Sequence, residues 1–258
     1  MEEYRRTSPK FYDPTQFAFL KPLQDNWKAI RQEFLEVAKS RTHPWPETNL
    51  FQTTTYKNDE EAKVTDGEGW NVFGLYAFNK KRTDNCKLCP LTAGVIEAFP
   101  YQVRTAAFSI LVPGAHILPH SGYVGYSDRV LRCHLGLQIP KGAGVGSEFK
   151  PTSWSEADAL KPREGCFLRA GDEKWGWDDG ELLVFDDTHV HEAWNFTQEE
   201  RVILLLDFTR PPEFMPPTEM LDRLEAEAAK DPFRVGNRGD VYLESLTTSH
   251  GWEEIIPK

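Results

Sequence analysis

The chain has 258 residues, 27% of them charged, and a formal net charge of −10. A chain of this length forms one large domain or two small ones. Because a phosphate backbone requires a basic face on its partner, the acidic balance argues against a nucleic acid as the main ligand.

Two further classes are excluded by local composition. The beginning of the chain, MEEYRRTSPKFYD, lacks the apolar core of a secretory signal, and no run of about 18 apolar residues occurs that could cross a bilayer. We therefore predict a cytoplasmic protein without a transmembrane segment. Four cysteines do not make a disulfide framework, and a zinc ribbon would need a second pair beside Cys86 and Cys89. We predict ordinary thiols.

The first hundred residues predict two helices and a strand. Within residues 19–41, apolar residues recur at helical spacing, at Leu23, Trp27, Ile30, Phe34 and Val37. A helix with one such apolar face can pack against a sheet. WNVFGLYAF (70–78) predicts a strand, and PLTAGVIEAF (90–99) predicts a short helix that begins at Pro90.

From about residue 103 the chain consists of short strand-like runs separated by Gly and Pro. The runs are TAAFSILV, LRCHLGLQI, GCFLRAG, ELLVFDD, VHEAWNF and RVILLLDF. Their spacing is typical of a sandwich or jelly roll. TEMLDRLEAEAAKD (218–231) then predicts a surface helix, and the tail to residue 258 is polar.

Two histidine clusters, about 70 residues apart, lie within these strand-like runs. In FDDTHVHEAW the strand period places Asp187, His189 and His191 on one face. Imidazoles on neighbouring jelly-roll strands can meet at a metal ion, and neutral imidazole suits Fe, Zn, Cu or Ni. Spacing alone does not decide between His189 and His191, nor between metal ligands and hydrogen-bonded structural histidines.

The stretch HSG at residues 120–122 raises a separate question. A mononuclear iron site usually has a carboxylate two residues after its first histidine, and Gly122 stands at that position here.

Four ordered blocks resemble the aspartyl/asparaginyl β-hydroxylase family of Fe(II)- and 2-oxoglutarate-dependent oxygenases: FSILVPGAHILPHSG, RCHLGLQIP, FDDTHVHEAWN and RVILLLDFTRP. The likeness continues upstream through GWNVFGLYAFNKKRTDNCKLCPLT. It implies a mainly β fold, a cupin-like double-stranded β-helix (jelly roll) with flanking N-terminal and C-terminal helices. We predict a single oxygenase domain over 1–258: a core at about 68–212, a helical buttress at 1–67, and a helix and tail at 213–258.

The resemblance implies an iron site with two histidines. His120 matches the first ligand and His191 the second, so both are predicted to be catalytic, and a glycine replaces the usual acid. Water would fill the position that the carboxylate leaves, held by a neighbouring group for which Asp186 and Asp187 are both candidates. His189 is then a neighbour of the site and not a ligand.

The resemblance also implies binding residues for 2-oxoglutarate, with O2 as the second co-substrate. Arg201 matches the co-substrate arginine and Ser109 a serine that binds the same ligand. Arg132 and His134 match a pair lining the co-substrate and substrate side, and Trp70 matches an aromatic wall. Independently of the resemblance, an arginine that heads an apolar strand is hard to explain as core, because a buried guanidinium needs a partner.

The expected reaction is hydroxylation of an unactivated carbon, with a small molecule, peptide or lipid as substrate. The loop between His120 and Arg132 is about three residues longer than the family pattern, and Val130 replaces an arginine suited to an acidic side chain. We therefore favour an amino acid, peptide or other small molecule. Lipid acyl chains and protein Asp/Asn residues are the alternatives within the family. The alternative of another class is a non-catalytic cupin-like metal- or ligand-binding module; a zinc hydrolase would normally use three protein ligands.

Overall fold

The computed structural model describes residues 4, 7–44, 53–57, 60–61, 69–141, 152–153 and 164–230. The helices of this part of the chain are α1 (Lys21–Asp25), α2 (Trp27–Arg41), α3 (Thr83–Leu88), α4 (Pro90–Glu97) and α5 (Thr218–Ala228). The strands are β1 (Phe11–Tyr12), β2 (His43–Pro44), β3 (Thr53–Lys57), β4 (Glu60–Glu61), β5 (Trp70–Ala77), β6 (Lys80–Lys81), β7 (Val103–Leu111), β8 (Ala115–His120), β9 (Val130–Gln138), β10 (Thr152–Ser153), β11 (Gly165–Ala170), β12 (Glu173–Gly176), β13 (Leu182–Phe185), β14 (His191–Phe196) and β15 (Arg201–Thr209).

The strands form two antiparallel sheets. The first has the order β1-β13-β9-β15-β7-β5-β2, with β6 paired to β5, and the second has the order β10-β12-β11-β14-β8-β3-β4. Strands β7, β9, β13 and β15 therefore lie together in one sheet, and β8, β11, β12 and β14 in the other. This order is that of a jelly roll, and the predicted mainly β fold with flanking helices is confirmed. Each of the six strand-like runs contains one of these strands.

The central strands of the first sheet, such as β13 and β15, are buried on both faces. Along β15, Val202, Leu204 and Leu206 belong to one apolar cluster, which also contains residues of α2 and α4. Ile203 and Leu205 belong to a second cluster, shared with the strands of the other sheet. The strand period of two thus separates a helix-covered outer face from the interior of the barrel.

The N-terminal helical segment confirms the predicted amphipathic pattern with one difference. The helix is interrupted at Asn26, whose backbone leaves the helical region and whose side-chain amide donates to the Pro22 carbonyl at 2.8 Å. Asparagine competes with the helix in this way by bonding nearby backbone groups. α2 still buries Ile30, Phe34 and Val37 against the outer face of the first sheet.

Residues ahead of the helices also join the barrel. β1 pairs with β13, and Phe11 lies opposite Phe185. The Phe11 ring lies 5.3 Å from that of Trp175, so the N-terminal segment covers one end of the interior cluster. The division into a buttress, a core and a tail stays a prediction, and residues 231–258 lie outside the described part of the chain.

The four cysteines are buried free thiols. Burial raises the pKa of Cys86 to about 11 and that of Cys89 to about 12, so neither thiol is ionised near neutral pH. Across the described ranges, no helix is both long and apolar enough to span a bilayer.

A helix cap contributed by another helix gives a first test of the fold. Both carboxylate oxygens of Glu33, on α2, accept hydrogen bonds from the N-terminal turn of α4: Leu91 N at 2.7 Å, Thr92 N at 2.9 Å and Thr92 Oγ1 at 2.6 Å. We expect Glu33→Ala to lower the free energy of unfolding by about 1–2 kcal/mol, measured by urea denaturation, because a lost N-cap leaves these donors unpaired. Glu36→Ala, on the exposed face of α2, is the matched control and should change it by less than about 0.5 kcal/mol. Equal effects of the two changes would contradict the capping role.

Candidate active site

His120 and His191 come together inside one end of the barrel. His120 ends β8 and His191 begins β14, and the two residues are direct partners in the antiparallel pairing of these strands. Their ring centroids are 4.2 Å apart. The register of β14 shifts immediately after His191, and such bulges re-aim side chains next to functional sites.

Both imidazoles present the same nitrogen to the site. Nδ1 of His120 lies 2.7 Å from the Leu118 carbonyl, and Nδ1 of His191 lies 2.8 Å from the His189 carbonyl. A carbonyl oxygen only accepts, so each Nδ1 carries the proton and each Nε2 keeps a lone pair. Burial lowers the pKa of both imidazoles to about 3, with each other's proximity adding to the shift of His120, so both are neutral near pH 7.

Asp187 occupies the space beside Gly122. An ideal Cβ on Gly122 would lie 2.0 Å from Asp187 Oδ2 and 2.0 Å from Ser127 Oγ. Asp187 Oδ1 lies 3.3 Å from His191 Nε2. Gly122, two residues after His120, therefore has no room for a side chain where the usual carboxylate would stand. The carboxylate of Asp187 fills that volume.

Two groups hold Asp187 in place. Ser127 Oγ donates to Asp187 Oδ2 at 2.7 Å, and Arg132 Nη1 forms an ion pair with Oδ1 at 2.6 Å. Arg132 also donates from Nε and Nη2 to the two oxygens of Asp207, at 2.7 and 2.9 Å. Burial opposes the charge on Arg132, but the two carboxylates outweigh it and raise the pKa of the guanidinium. The charge of Arg132 is therefore already matched on both sides.

Asp186 has a different environment from Asp187. Its Oδ1 accepts from Arg210 Nη2 at 2.7 Å, and its Oδ2 accepts from the Tyr4 hydroxyl at 3.2 Å. These contacts attach the turn before His191 to Tyr4 in the N-terminal segment and to Arg210 just after the end of β15. Of the two candidates for the supporting carboxylate, only Asp187 has a side chain beside the histidine pair.

His189 lies next to the site and faces another way. Its Nε2 is 3.0 Å from Ser8 Oγ, and its backbone carbonyl accepts from His191 Nδ1. The imidazole is thus engaged by the N-terminal segment, while the carbonyl orients the ring of His191.

A second group of polar side chains lies deeper in the barrel. Arg201, at the start of β15, is buried, and its guanidinium lies 4.8 Å from the centre of the Trp177 ring. Its Nε and Nη1 have no hydrogen-bond partner among the described residues. Burial lowers the pKa of Arg201 to about 10, so the side chain is still a cation near neutral pH.

His134 shares this environment with Arg201. Trp177 Nε1 donates to His134 Nδ1 at 3.2 Å, and His134 Nε2 is buried without a hydrogen-bond partner in the described part of the chain. Burial, and next the charge of Arg201, hold the pKa of His134 well below its usual value. The imidazole is therefore neutral and its free nitrogen is a donor.

Trp70 and Ser109 complete the group. They lie on the neighbouring strands β5 and β7, and Trp70 Nε1 donates to Ser109 Oγ at 3.0 Å. Both residues are buried, and Trp70 belongs to the interior cluster.

Contacts between rings connect the two groups. Phe185 lies 5.3 Å from His191 and 5.2 Å from His134, measured between ring centroids. The structure thus brings all seven predicted site residues into one barrel interior; the role of each stays a prediction. Four contributors were not identified from the sequence: Ser127, Asp207, Phe185 and Trp177. A carboxylate on the inward face of β15, two residues before the end of an apolar strand, was the available signal for Asp207.

The histidine pair fits a metal ion and the deeper group fits an anion. Two neutral Nε2 lone pairs face the same volume, which is the donor set of a two-histidine iron site. Within the described ranges, no three His, Cys, Asp or Glu side chains are grouped so that they would hold a metal. The unpaired donors of Arg201 and His134 suit a carboxylate, because a buried cation without a partner is costly.

Comparisons with known proteins agree with this chemistry. The sequence pattern of the aspartyl/asparaginyl beta-hydroxylase family matches residues 24–211. The ornithine lipid ester-linked acyl 2-hydroxylase of Rhizobium tropici is 32% identical over 205 residues, which is 79% of this chain and 62% of that protein. The human aspartyl/asparaginyl beta-hydroxylase is 30% identical over 196 residues, 74% of this chain and 21% of that protein. The chain thus spans less than two thirds of each relative.

A solved prolyl-4-hydroxylase from Pseudomonas putida aligns with 73% of this chain and 88% of its own, at 15% identity and a TM-score of 0.40. A score this low does not establish a common fold, so the fold assignment depends on the strand order.

The crowding around Gly122 predicts a local defect on substitution. We expect Gly122→Ala to displace Asp187 or Ser127, to cost about 1–3 kcal/mol of stability by overpacking, and to weaken Co(II) or Fe(II) binding. Gly94→Ala is the control, since nothing lies within 4 Å of a Cβ at that helical glycine. It should be neutral or stabilising by up to about 1 kcal/mol. Thermal unfolding and metal titration of both variants measure this, and an unchanged Gly122→Ala protein would contradict the packing described here.

Proposed function

Because the chain belongs to the aspartyl/asparaginyl β-hydroxylase family, we propose that it is an Fe(II)- and 2-oxoglutarate-dependent dioxygenase that hydroxylates an unactivated carbon. One observation carries the proposal. A pair of imidazole Nε2 lone pairs and a buried guanidinium without a carboxylate partner in the described residues lie inside the same barrel. A metal-binding module needs only the first of these; an oxygenase that uses a dicarboxylate co-substrate needs both.

His120 and His191 are the proposed iron ligands. When bound, Fe(II) would supply O2 activation coupled to oxidative decarboxylation of 2-oxoglutarate, which yields succinate, CO2 and the hydroxylated product. The protein fixes both imidazoles before metal binds, since each Nδ1–H is already held by a backbone carbonyl. This second contact sets the tautomer and the ring orientation, as is usual for metal-binding histidines.

Gly122 provides no carboxylate, so one coordination position of the proposed iron site stays without a protein ligand. Asp187 is the proposed hydrogen-bond partner of the water in that position. Its carboxylate is close enough to His191 Nε2 to accept a hydrogen bond from a water in that position. Arg132 and Ser127 restrain the carboxylate from two sides. It could therefore accept a hydrogen bond from this water while its distance from the histidines stays fixed.

Arg201, Ser109 and His134 are the proposed partners of the co-substrate. The guanidinium pairs with a carboxylate through its fork of N–H groups. Ser109 on β7 and His134 on β9 supply neutral donors from the two strands that flank β15, which carries Arg201. Trp70 and Trp177 form the aromatic walls. Arg132 is predicted from the resemblance to face the co-substrate or substrate, and its contacts with Asp187 and Asp207 give it mainly a restraining role in the proposal.

The proposed substrate does not present an acidic side chain to the site. Val130 takes the place of the arginine that the resemblance leads us to expect at an acid-binding site. The N–H groups of Arg132 are already paired with the carboxylates of Asp187 and Asp207. We favour an amino acid, peptide or other small molecule that offers a neutral reacting group. Hydroxylation of an Asp side chain in a protein is disfavoured by the same contacts. The predicted cytoplasmic location remains an inference from the sequence.

An acyl chain is the second candidate substrate, and one observation favours it. Val190 stands between His189 and His191 and is 43% exposed, which places an apolar side chain at the rim of the iron site. The Rhizobium relative bears the name of an acyl 2-hydroxylase.

Anaerobic titration with Fe(II) and then 2-oxoglutarate tests the proposed function. We expect the weak visible charge-transfer band of a chelated complex in the wild type. His120→Ala and His191→Ala should lose the band because each removes half of the protein ligands, and Arg201→Ala should lose it at moderate 2-oxoglutarate concentrations. His189→Ala is the matched control and should keep it. If iron binds but 2-oxoglutarate never perturbs it, the protein is a metal-binding module.

A substrate test separates the two candidate classes. Release of succinate is measured with neutral amino acids and peptides, with acyl amphiphiles and with acidic peptides. For an acyl substrate, Val190→Asp should raise KM by roughly ten-fold. This is the effect of losing the burial of one apolar side chain against the substrate, which contributes ~1.5 kcal/mol of binding free energy. Leu88→Asp is the control, since Leu88 on α3 is also exposed, at 39%. Stimulation only by acidic peptides would overturn the substrate assignment.

A further inference from the structure

Two buried tryptophans donate to two residues of the proposed co-substrate group. Trp177 Nε1 donates to His134 Nδ1, and Trp70 Nε1 donates to Ser109 Oγ. In both cases the indole N–H donates to an atom, His134 Nδ1 or Ser109 Oγ, of a side chain that can either donate or accept. The arrangement constrains the direction in which the partner's own proton points.

The constraint is strict for His134. An indole nitrogen has a proton and no lone pair available, so it donates only. His134 Nδ1 must therefore be the acceptor, and in a neutral imidazole the proton then lies on Nε2. This Nε2–H is buried and has no hydrogen-bond partner in the described part of the chain.

Trp177 acts on Arg201 as well. The guanidinium lies over the Trp177 ring at 4.8 Å, a cation–π contact that restrains the guanidinium without using any of its N–H groups. Nε and Nη1 of Arg201 consequently stay available as donors. One tryptophan side chain thus touches two residues of the proposed co-substrate group, Arg201 and His134, each of which has a buried donor without a partner in the described residues.

We propose that Trp177 is a positioning residue that fixes His134 as an Nε2–H donor and holds Arg201, so that the deeper end of the barrel presents only donors and selects a carboxylate. Trp70 acts on Ser109 in the same sense, because the hydroxyl that accepts the indole proton turns its own proton away. The inference rests on the proposed function, since it explains how this end of the barrel would recognise 2-oxoglutarate.

The tautomer of His134 is measurable without any co-substrate. In protein labelled with ¹⁵N-histidine, two-dimensional NMR distinguishes a protonated from an unprotonated ring nitrogen, and His134→Gln assigns the signals. We expect Nε2 protonated and Nδ1 unprotonated in the wild type. A proton on Nδ1, or a protonated imidazolium, would overturn the inference whatever the protein binds.

Trp177→Phe separates the hydrogen bond from the ring contact. It retains an aromatic ring near Arg201 and removes the indole N–H together with part of the ring, a loss of volume that a second Trp→Phe variant reproduces elsewhere. We expect His134 to lose its single tautomer and the affinity of the Fe(II) protein for 2-oxoglutarate to fall by roughly ten-fold, the effect of one misdirected hydrogen bond to a charged group. The Fe(II) affinity itself should not change.

Trp194→Phe is the matched control. Trp194 is also buried, and its Nε1 also donates, but to the Glu164 carbonyl at 3.1 Å. It should leave both the tautomer and the affinity for 2-oxoglutarate unchanged. Equal loss of affinity in the two variants, or an unchanged tautomer in Trp177→Phe, would overturn the inference. A wild-type protein with the expected tautomer that fails to bind 2-oxoglutarate would instead refute the proposed function.

Discussion

The position of Arg132 between two carboxylates is the interaction on which the iron end of the barrel depends. Asp207, on the adjacent strand β15, takes two of its N–H groups, and Asp187 pairs with the third nitrogen from the turn between β13 and β14. Such a buried group is stable only when complete, because removal of one partner leaves an uncompensated charge. The turn that carries Asp187 also leads into His191. The network therefore ties the position of a proposed ligand to the first sheet.

The same network explains why a glycine can follow His120. In a site with a full triad, the carboxylate comes from the strand that carries the first histidine. Here the carboxylate comes from the turn between β13 and β14, and the two sources exclude each other sterically, since a Cβ on Gly122 would meet Asp187 at 2.0 Å. Ser127 and Arg132 restrain Asp187 beside the histidines. In the proposed function this carboxylate would stay near the iron without being a third ligand and would leave a position for water or a co-substrate oxygen.

The parts of this site that the sequence predicts are those with a local signal. Period-two spacing predicted one strand face for Asp187, His189 and His191, but Asp187 and His189 lie in the turn before β14 and His189 faces Ser8. The resemblance chose His191 and matched Arg201. The choice between Asp186 and Asp187 depended on partners far away in the chain: Arg210 for one, and Arg132 and Ser127 for the other. Trp177 left no signal, because a tryptophan after a short strand is ordinary core until its indole proton is seen to meet His134. The broken helix at Asn26 is a similar case, since its apolar spacing continues across the interruption.

The interior of the barrel contains two kinds of polar environment, and their difference is informative. At the rim, the charge of Arg132 is matched by Asp187 and Asp207, and these three residues stabilise the fold without a ligand. Deeper inside, Arg201 and His134 have buried donors with no partner among the described residues. Leaving such groups unpaired destabilises the folded chain by the full cost of their desolvation. The contrast between an arginine matched by two carboxylates and a buried arginine without one supports the proposal that this end of the barrel binds an anion. Under the proposed function the partner of both groups is a carboxylate of 2-oxoglutarate, which accepts hydrogen bonds and matches the charge of Arg201.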